Sequence, residues 1–210
     1  DSVGTAHGSV VDPGIPTAKG APVLRYLDVL QGAQVGRRVA IIGAGGIGFD
    51  VAEYLAHSGQ SQTLDPALWR RNWGVSDPVK DRGGLAQAGA ATSPPARAIW
   101  LLQRSPGTPG KGLGKTTGWI HRSRLKQQAV HMWGGVSYHE ITPKGLLITR
   151  DGIIETLEVD TIVLCAGQVP DRTLAETLAA TGRQFYLIGG ADQAGELDAK
   201  RAIDQGARLA

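Results

Sequence analysis

Three glycines in residues 43–48 have the type and spacing that suit a phosphate anion. Gly43, Gly45 and Gly48 fit the pattern Gly-x-Gly-x-x-Gly, directly after the apolar run 39–42 and before a segment with helical spacing at 49–56. The first glycine permits a tight turn, the second lets the backbone approach a pyrophosphate, and the third allows the helix to pack closely on the strand. The N–H groups of the first helical turn then face the anion. The pattern predicts a dinucleotide-binding turn, and the alternative is a glycine-rich turn without a ligand.

The end of the next apolar run indicates which dinucleotide binds. Residues 98–103 should form a strand beside the first one, and they are followed by Arg104 and Ser105. An NAD-specific domain places a carboxylate there for the ribose 2′-hydroxyl, whereas Arg104 can form a forked contact with a 2′-phosphate. Lys111 and Lys115, in the loop that follows, supply further cations. The sequence therefore favours NADP(H) over NAD(H), and the alternative is that Arg104 is a solvated surface arginine.

The glycine-rich loop 110–118 is only superficially like an ATP-binding phosphate loop. It contains Gly-Lys-Thr, but the first glycine of the pattern Gly-x-x-x-x-Gly-Lys-Thr would fall on Pro109. We interpret the loop as the floor or cover of the nucleotide site, with Lys115 and His121 either near phosphate or at the solvated surface. A helix at 119–129 should follow, and its solvated face should carry Arg122, Arg124 and Lys126.

Composition excludes several classes of site and partner. The 210 residues carry 22 basic and 19 acidic side chains, so the net charge alone indicates neither a nucleic-acid nor a membrane partner. The single cysteine, Cys165, excludes an intrachain disulfide and an all-cysteine metal or iron–sulfur site. It ends an apolar run and is interpreted as a buried core residue, not a nucleophile. No apolar stretch approaches the length of a membrane helix and no signal-peptide core is evident, so a soluble, cytoplasmic protein is expected.

The order of periodic segments predicts an α/β fold, a Rossmann-like domain with a parallel sheet plus a β-meander that returns to it. Residues 1–22 are rich in Gly, Pro and Ala and are expected to be irregular. Expected helices span 23–31, 49–56, 119–129, 172–181 and 196–209. Expected strands span 38–42, 98–103, 130–133, 136–141, 146–149, 155–159, 161–164 and 185–188, with a turn at 189–192.

A long insertion at 58–97 stands where a nucleotide-binding unit needs only a short connection. Its residues Trp69 and Trp73 are one helical turn apart, which predicts a short helix that packs on the domain. A lid that contacts a substrate is the alternative.

Three segments resemble the two-dinucleotide-domain flavoproteins, in which an NAD(P)H domain is inserted into an FAD domain. They are residues 39–48; residues 159–170 (Val-Asp-Thr-Ile-Val-Leu-Cys-Ala-Gly-Gln-Val-Pro), similar to the crossover between the domains; and residues 186–192 (Tyr-Leu-Ile-Gly-Gly-Ala-Asp), similar to the strand whose final aspartate holds the flavin. Residues 1–8 are similar to the opposite crossover through Val3, Ala6 and Gly8.

A closer resemblance is to the bacterial NADPH-dependent 2,4-dienoyl-CoA reductases of the Old Yellow Enzyme-related group. It rests on residues 26–30 (Tyr-Leu-Asp-Val-Leu), 42–50, 113–122 (Leu-Gly-Lys-Thr-Thr-Gly-Trp-Ile-His-Arg) and 196–203 (Glu-Leu-Asp-Ala-Lys-Arg-Ala-Ile), together with the insertion. The resemblance covers the carboxyl-terminal third of that family. It implies that the barrel with FMN and the catalytic acid, the 4Fe-4S cluster and the first FAD-binding strand lie outside this chain.

The resemblance also implies a division of the chain. Residues 1–36 would be a partial FAD-domain segment and linker, residues 37–165 the NADP(H)-binding Rossmann-like domain with the insertion, and residues 166–210 a second partial FAD-domain segment. The expected partners are the dinucleotide cofactors and the missing barrel and FAD domain of the same protein.

Within that family the chain would accept NADPH and pass a hydride to FAD, the first step in the reduction of a 2,4-dienoyl-CoA. Residues implied to hold NADPH are Gly43, Gly45, Gly46, Ile47 and Gly48 at the pyrophosphate, Arg104, Ser105, Lys111 and Lys115 at the 2′-phosphate side, and Ala166, Gly167 and Gln168 at the nicotinamide. Gly190 and Asp192 would lie at a partial FAD site, although Asp192 is alternatively a helix cap. The helix after Gly195 would face the flavin with its positive end. We expect no catalytic acid or base within this chain.

Other functions compete with this one. The chain is alternatively the NADPH-binding domain of another flavoprotein reductase, such as a glutamate synthase small-subunit relative. A second alternative is a vestigial, non-catalytic module that holds only ADP. RNA binding through the basic residues around the glycine-rich loop is disfavoured, because no RNA-binding module is recognisable.

Overall fold

The computed structural model describes residues 5–59, 61–91, 94–195 and 199–209, with side chains from residue 11 onward. The strands in these ranges are β1 (Thr5–Val10), β2 (Val23–Arg25), β3 (Arg38–Ile42), β4 (Ala98–Leu102), β5 (His131–Trp133), β6 (Ser137–Thr142), β7 (Gly145–Arg150), β8 (Ile153–Leu157), β9 (Thr161–Leu164) and β10 (Gln168–Pro170). The α-helices are α1 (Tyr26–Leu30), α2 (Gly46–Ala56), α3 (Pro66–Trp73), α4 (Gly118–Gln127), α5 (Thr173–Ala180), α6 (Gly189–Asp192) and α7 (Ala199–Leu209).

A five-stranded parallel sheet forms the centre of the fold. Its order is β2-β9-β3-β4-β5, and every neighbouring pair is parallel. Strand β3 lies in the middle, and its residues 39–42 are at most 2% exposed. A run that is apolar at every position is typical of a strand covered on both faces. The predicted Rossmann-like α/β fold is therefore present.

The two faces of the sheet are covered by different layers. On one face, Phe49 and Leu55 of α2 and Leu125 of α4 join a buried cluster with Val39 and Ile41 of β3. On the other face, the antiparallel sheet β6-β7-β8 contributes buried apolar residues that include Ile141, Leu146 and Ile148. The chain then returns to the parallel sheet as β9, so the predicted β-meander is confirmed.

Residues 23–31 differ from the helix predicted there. They form strand β2 followed by the five-residue helix α1. Leu24 aligns with Val163 of β9 in the parallel ladder. The hydrogen bonds of this sheet edge therefore override the helical spacing of the leucines at 24, 27 and 30.

Residues 185–188 do not form the predicted strand. Their backbone is irregular, and none of the strands in the described ranges pairs with them. A strand needs a neighbour for its hydrogen bonds. The predicted turn at 189–192 is instead the short helix α6, and the last helix, expected from residue 196, is described from Ala199 because residues 196–198 lie outside the described ranges.

The insertion contains the short helix that its tryptophan spacing predicts, but the predicted packing on the domain is wrong at Trp69, which is 41% exposed, and no residue of the helix is buried. Asp65 caps helix α3 by accepting hydrogen bonds from the backbone N–H groups of Ala67 and Leu68, at 2.9 and 3.0 Å, and Gly74 ends it in the left-handed conformation. The rings of Trp69 and Trp73 lie 6.3 Å apart between centroids.

Strands β1 and β10 form a separate two-stranded sheet. They pair antiparallel, with Val10 opposite Gln168. The prediction that residues 1–22 are irregular is therefore wrong at 5–10, because the hydrogen bonds to β10 order this segment as a strand. These strands belong to the two segments that resemble crossovers, at 1–8 and 159–170, so the described parts of these two segments lie side by side. Residues 1–4 of the first segment lie outside the described ranges.

Candidate dinucleotide site

The turn after β3 has the backbone geometry that its glycines predict. Gly43 has a φ of +112°, where a side chain is strained, and a Cβ on it would overlap the carbonyl group of Cys165. A Cβ on Gly48 would overlap the carbonyl oxygen of Gly43. Gly43 and Gly48 are therefore required by close backbone packing within the protein, whether or not a ligand binds.

Gly45 and Gly46 are different, because a Cβ on either would have no heavy atom within 4 Å. Both residues are exposed. The packing of the described residues does not require glycine at these positions, and the open space leaves room for a ligand to approach the backbone. The open space above Gly45 would admit a pyrophosphate.

The first turn of α2 faces this space. Gly45 is the N-cap residue and no side chain caps the helix. The first helical hydrogen bond runs from the Phe49 N–H to the Gly45 carbonyl, at 3.1 Å. The N–H groups of Gly46, Ile47 and Gly48 precede it and have no partner within the helix. An anion at this position would accept from these groups and would lie at the positive end of the helix dipole.

Parallel pairing brings three loops to the same edge of the sheet. The Gly43 N–H donates to the Leu102 carbonyl at 2.9 Å, and the Cys165 N–H donates to the Ile42 carbonyl at 2.8 Å. The ends of β3, β4 and β9 are therefore adjacent, and the segments that follow them hold the residues predicted to bind NADPH. Ligands of open α/β sheets bind at this carboxyl edge.

Arg104 lies on a well-fixed turn at the end of β4. The Gln103 side chain donates to the Ser105 carbonyl at 3.0 Å, and the Gly135 N–H donates to the same carbonyl at 2.9 Å. The Arg104 and Ser105 residues are exposed, and within the described part of the chain Arg104 forms no ion pair. Burial raises the pKa of Tyr138 nearby, and the positive charge of Arg104 acts against that rise. The turn thus presents an uncompensated cation at the sheet edge.

The glycine-rich loop 110–118 packs against helix α2. Gly110 is buried, and a Cβ on it would lie 2.5 Å from Cζ of Phe49 in α2. Leu113 packs on the same core cluster. Lys111 and Lys115 lie on this loop and are exposed. The predicted role of the loop as a border of the nucleotide site is consistent with this position.

The predicted solvated face of α4 is wrong at two of its three residues. Arg122 is half-buried and donates through Nη1 to the Gly110 carbonyl at 2.8 Å. Arg124 forms an ion pair with Glu53 of α2 at 2.5 Å, and its side chain is 17% exposed. Only Lys126 is exposed as predicted. The packing of α4 on α2 turns these two arginines inward, which charge alone does not reveal.

The residues predicted at the nicotinamide follow β9. Gly167 has a φ of +96°. The side-chain amide of Gln168 donates to the Tyr26 hydroxyl at 3.0 Å, and Tyr26 is buried. Tyr26 was not singled out as a site residue from the sequence, because its partner is 142 positions away.

The predicted flavin-side residues lie on α6, next to α7. The Asp192 carboxylate accepts a hydrogen bond from the Gln205 side chain at 2.9 Å, and Gln205 in turn accepts from the Gly189 N–H at 2.8 Å. Gly190, next to Gly189, is half-buried. Gln205 therefore fixes Asp192, and the sequence pattern gave no signal for that pairing.

Cys165 is a core residue, as predicted. It is 7% exposed, and burial raises the pKa of its thiol to about 12. The thiolate is the reactive form of cysteine. This residue is therefore unsuited to nucleophilic or redox chemistry in the folded protein.

We expect Cys165 to resist alkylation. With its pKa raised from 9.0 to about 12, the thiolate population at pH 8 should fall about 1,000-fold, before any loss of access. Iodoacetamide labelling followed by intact-mass spectrometry should detect no adduct on the native chain and one adduct in guanidinium chloride. Rapid stoichiometric labelling of the native chain would contradict the buried position.

A family model for pyridine nucleotide-disulphide oxidoreductases matches residues 5–188. The chain belongs to this family. Its members are flavin-dependent oxidoreductases, so the chain is an oxidoreductase domain of the NAD(P)-binding, Rossmann-like type.

A metal reductase from Desulforamulus reducens is 27% identical over 184 residues, a match that covers 86% of this chain and 26% of that protein. The chain thus spans about a quarter of the length of this relative.

Solved structures with the same fold are also flavoproteins or oxidoreductases by name. A 2-naphthoyl-CoA reductase complex has a TM-score of 0.67 at 19% identity, covering 96% of this chain and 25% of that one. Histamine dehydrogenase from Rhizobium sp. 4-9 has a TM-score of 0.63 at 15% identity, covering 100% of this chain and 28% of that one. A flavoprotein disulfide reductase from Escherichia coli has a TM-score of 0.58 at 13% identity, covering 99% and 42%. These similarities show the fold.

In the described part of the chain, no helix has the length and apolar character needed to cross a membrane.

Proposed function

We propose that this chain binds NADPH and positions it to reduce FAD in a larger flavin-dependent oxidoreductase. The observation that carries the proposal is the open space at Gly45 and Gly46, beside the uncapped start of α2. In a family that uses a nicotinamide dinucleotide, this space fits the pyrophosphate.

The roles of the residues follow from their positions. Backbone N–H groups of Gly46, Ile47 and Gly48 would donate to the pyrophosphate. Arg104 would form a forked contact with the 2′-phosphate, with Ser105 beside it and Lys111 and Lys115 on the adjoining loop. None of these groups needs to exchange a proton, so the chain acts by binding and orientation.

The carboxyl edge of β9 would orient the nicotinamide. When bound, the dinucleotide supplies a hydride, and the chemistry of that transfer belongs to the two cofactors. Ala166, Gly167 and Gln168 border the position, and Tyr26 fixes the Gln168 amide through the hydrogen bond at 3.0 Å. Because the amide nitrogen donates to Tyr26, the amide oxygen of Gln168 is left to accept from a carboxamide.

The chain supplies only part of an FAD site. Gly190 and Asp192 resemble the segment that holds the flavin, and Gln205 orients the Asp192 carboxylate at 2.9 Å. The glycine-rich turn at 43–48 is assigned to NADPH, and the sequence has no second turn of this pattern. We propose the division that the sequence suggests: a partial FAD-domain segment and linker at 1–36, the NADP(H) domain with its insertion at 37–165, and a second partial FAD-domain segment at 166–210.

For the whole protein we propose reduction of a 2,4-dienoyl-CoA. The support is the resemblance at residues 26–30, 42–50, 113–122 and 196–203 and the length of the insertion. In that case FMN and a 4Fe-4S cluster would be held by a separate barrel region. The coding sequence upstream of Asp1 tests this directly: a barrel followed by a cysteine cluster supports it, and a different catalytic domain refutes it.

Titration calorimetry with NADPH, NADH and ADP tests the dinucleotide site. We expect NADPH to bind most tightly, since only it carries the 2′-phosphate. Equal affinity for NADPH and ADP would favour the vestigial, non-catalytic module. Equal affinity for NADPH and NADH would show that Arg104 does not bind the 2′-phosphate.

We further expect the isolated chain to bind FAD too weakly to retain it and to have no reductase activity. A partial site loses most contacts yet must still immobilise the ligand, so its net affinity is poor. After incubation with FAD and desalting, the protein should show no flavin absorbance. A stoichiometrically yellow protein would instead mean that the turn at 43–48 binds the flavin nucleotide.

A further inference from the structure

One arginine connects helix α4 to the loop that carries the two lysines. Arg122 donates to the Gly110 carbonyl at 2.8 Å. The Leu113 N–H reaches the same carbonyl at 3.2 Å, so the oxygen is shared by a local and a distant donor. A hydrogen bond from a charged donor is stronger than one between neutral groups. Arg122 is therefore the main tie between the helix and this part of the loop.

The hydrogen bond from Arg122 is made at a residue, Gly110, whose backbone position is restricted. Gly110 has a φ of +76° and packs so closely on Phe49 that a Cβ would lie 2.5 Å from the ring. Phe49 belongs to the second turn of α2, directly after the N–H groups that face the pyrophosphate space. Holding Gly110 in this place also holds its neighbour, Lys111.

Among the residues that the structure describes, Lys111 has no hydrogen bond or ion pair of its own. It is exposed, and Gly112, which follows it, places few restraints on the backbone on that side. A Cβ on Gly112 would meet no heavy atom within 4 Å. A lysine on such a segment contributes to anion binding only when its backbone is fixed, because ordering a mobile segment opposes binding.

We propose that Arg122 is a positioning residue for NADPH: through the Gly110 carbonyl it holds Lys111 beside the 2′-phosphate. The inference rests on the proposed NADPH site. It assigns a task to the segment Leu-Gly-Lys-Thr-Thr-Gly-Trp-Ile-His-Arg, whose last residue is Arg122. Arg122 does not touch the nucleotide in this proposal and acts only through the loop.

A double-mutant cycle on the whole chain tests the proposal. Arg122→Met removes the donor and keeps much of the side-chain volume, and we expect the Kd for NADPH to rise about 10-fold, the lower end of the loss of one contact to a charged group. The Kd for NADH should change less than about twofold, because NADH lacks the group that Lys111 contacts. Lys111→Met should reproduce this pattern, and adding Arg122→Met to Lys111→Met should have no further effect.

Two matched variants separate this role from charge and from folding. Lys126→Met removes the same charge from an exposed position of α4 and should leave both affinities unchanged. Arg122→Lys keeps a charged donor and should give an intermediate loss of NADPH affinity. If thermal melting shows that Arg122→Met does not fold, Arg122→Lys takes its place in the test.

The outcomes are distinct. Additive losses in the double variant, equal losses for NADPH and NADH, or unchanged NADPH affinity in both Arg122 variants would overturn the inference and leave the proposed function standing. If the unmutated chain binds neither dinucleotide, the proposed function fails and the inference fails with it.

Discussion

Gly45→Val should abolish dinucleotide binding and leave the fold intact. The valine side chain would occupy the open space in which the pyrophosphate is expected, and it would separate the anion from the N–H groups of α2. Loss of two hydrogen bonds to a charged group, at about 1.5–3 kcal/mol each, predicts a rise in Kd of at least about 100-fold. Calorimetry with NADPH, together with circular dichroism, would measure both effects.

Gly48→Val provides the contrast within the same turn. A Cβ there would overlap the Gly43 carbonyl oxygen, so this substitution should destabilise the packing of α2 on the sheet. Its thermal melting temperature should fall, whereas that of Gly45→Val should change little, because no heavy atom lies within 4 Å of a Cβ at Gly45. If Gly45→Val binds NADPH with unchanged affinity, the turn does not cradle a phosphate.

The central unit of this fold could be predicted from the sequence because its signals are local and agree with one another. The run 39–42 is apolar at every position and leads into a glycine pattern and then a segment with helical spacing. Each of these signals supports the others, because a strand, a turn and a helix in this order form one unit. The meander is also marked locally, by turns such as Asp151-Gly152, where Asp151 has a φ of +51°. Topology then follows from the rule that such units pair in parallel.

The errors lie where long-range partners decide the structure. Residues 23–25 pair with β9 rather than joining a helix, and residues 185–188 have no pairing strand in the described ranges. Both segments have apolar patterns that suit either state. Their conformation depends on neighbours that periodicity cannot identify.

Part of the candidate site depends on the same kind of contact. The carbonyl bound by Arg122 is 12 residues away, and Gln205 fixes Asp192 across 13 residues. A basic side chain on a predicted helix is interpreted as solvated unless its partner is known. The residues proposed to contact the dinucleotide follow from local spacing, because that spacing is set by the shape of the ligand, and they stay predictions.

Arg104→Glu should remove the preference for NADPH. The substitution replaces a cation that can form a forked contact with the 2′-phosphate by a charge that repels it, and it places a carboxylate where an NAD-specific domain has one. Losing a charged hydrogen-bonding contact of about 1.5–3 kcal/mol corresponds to a change in the NADPH-to-NADH affinity ratio of about 10- to 150-fold. Calorimetry on both dinucleotides would give the ratio.

The physical basis of this prediction is that Arg104 has no competing structural task. It is exposed and, in the ranges that the structure describes, forms no ion pair that the substitution would break. The turn that carries it is held by the backbone and by Gln103, whose amide donates to the Ser105 carbonyl at 3.0 Å. The stability of the folded chain should therefore be preserved.

Arg183→Glu is the matched control. Arg183 is an exposed arginine in the irregular segment before α6, so the substitution makes the same charge change away from the site and should leave the NADPH-to-NADH affinity ratio unaltered. If both variants shift the ratio equally, net charge is the cause, and Arg104 does not contact the phosphate.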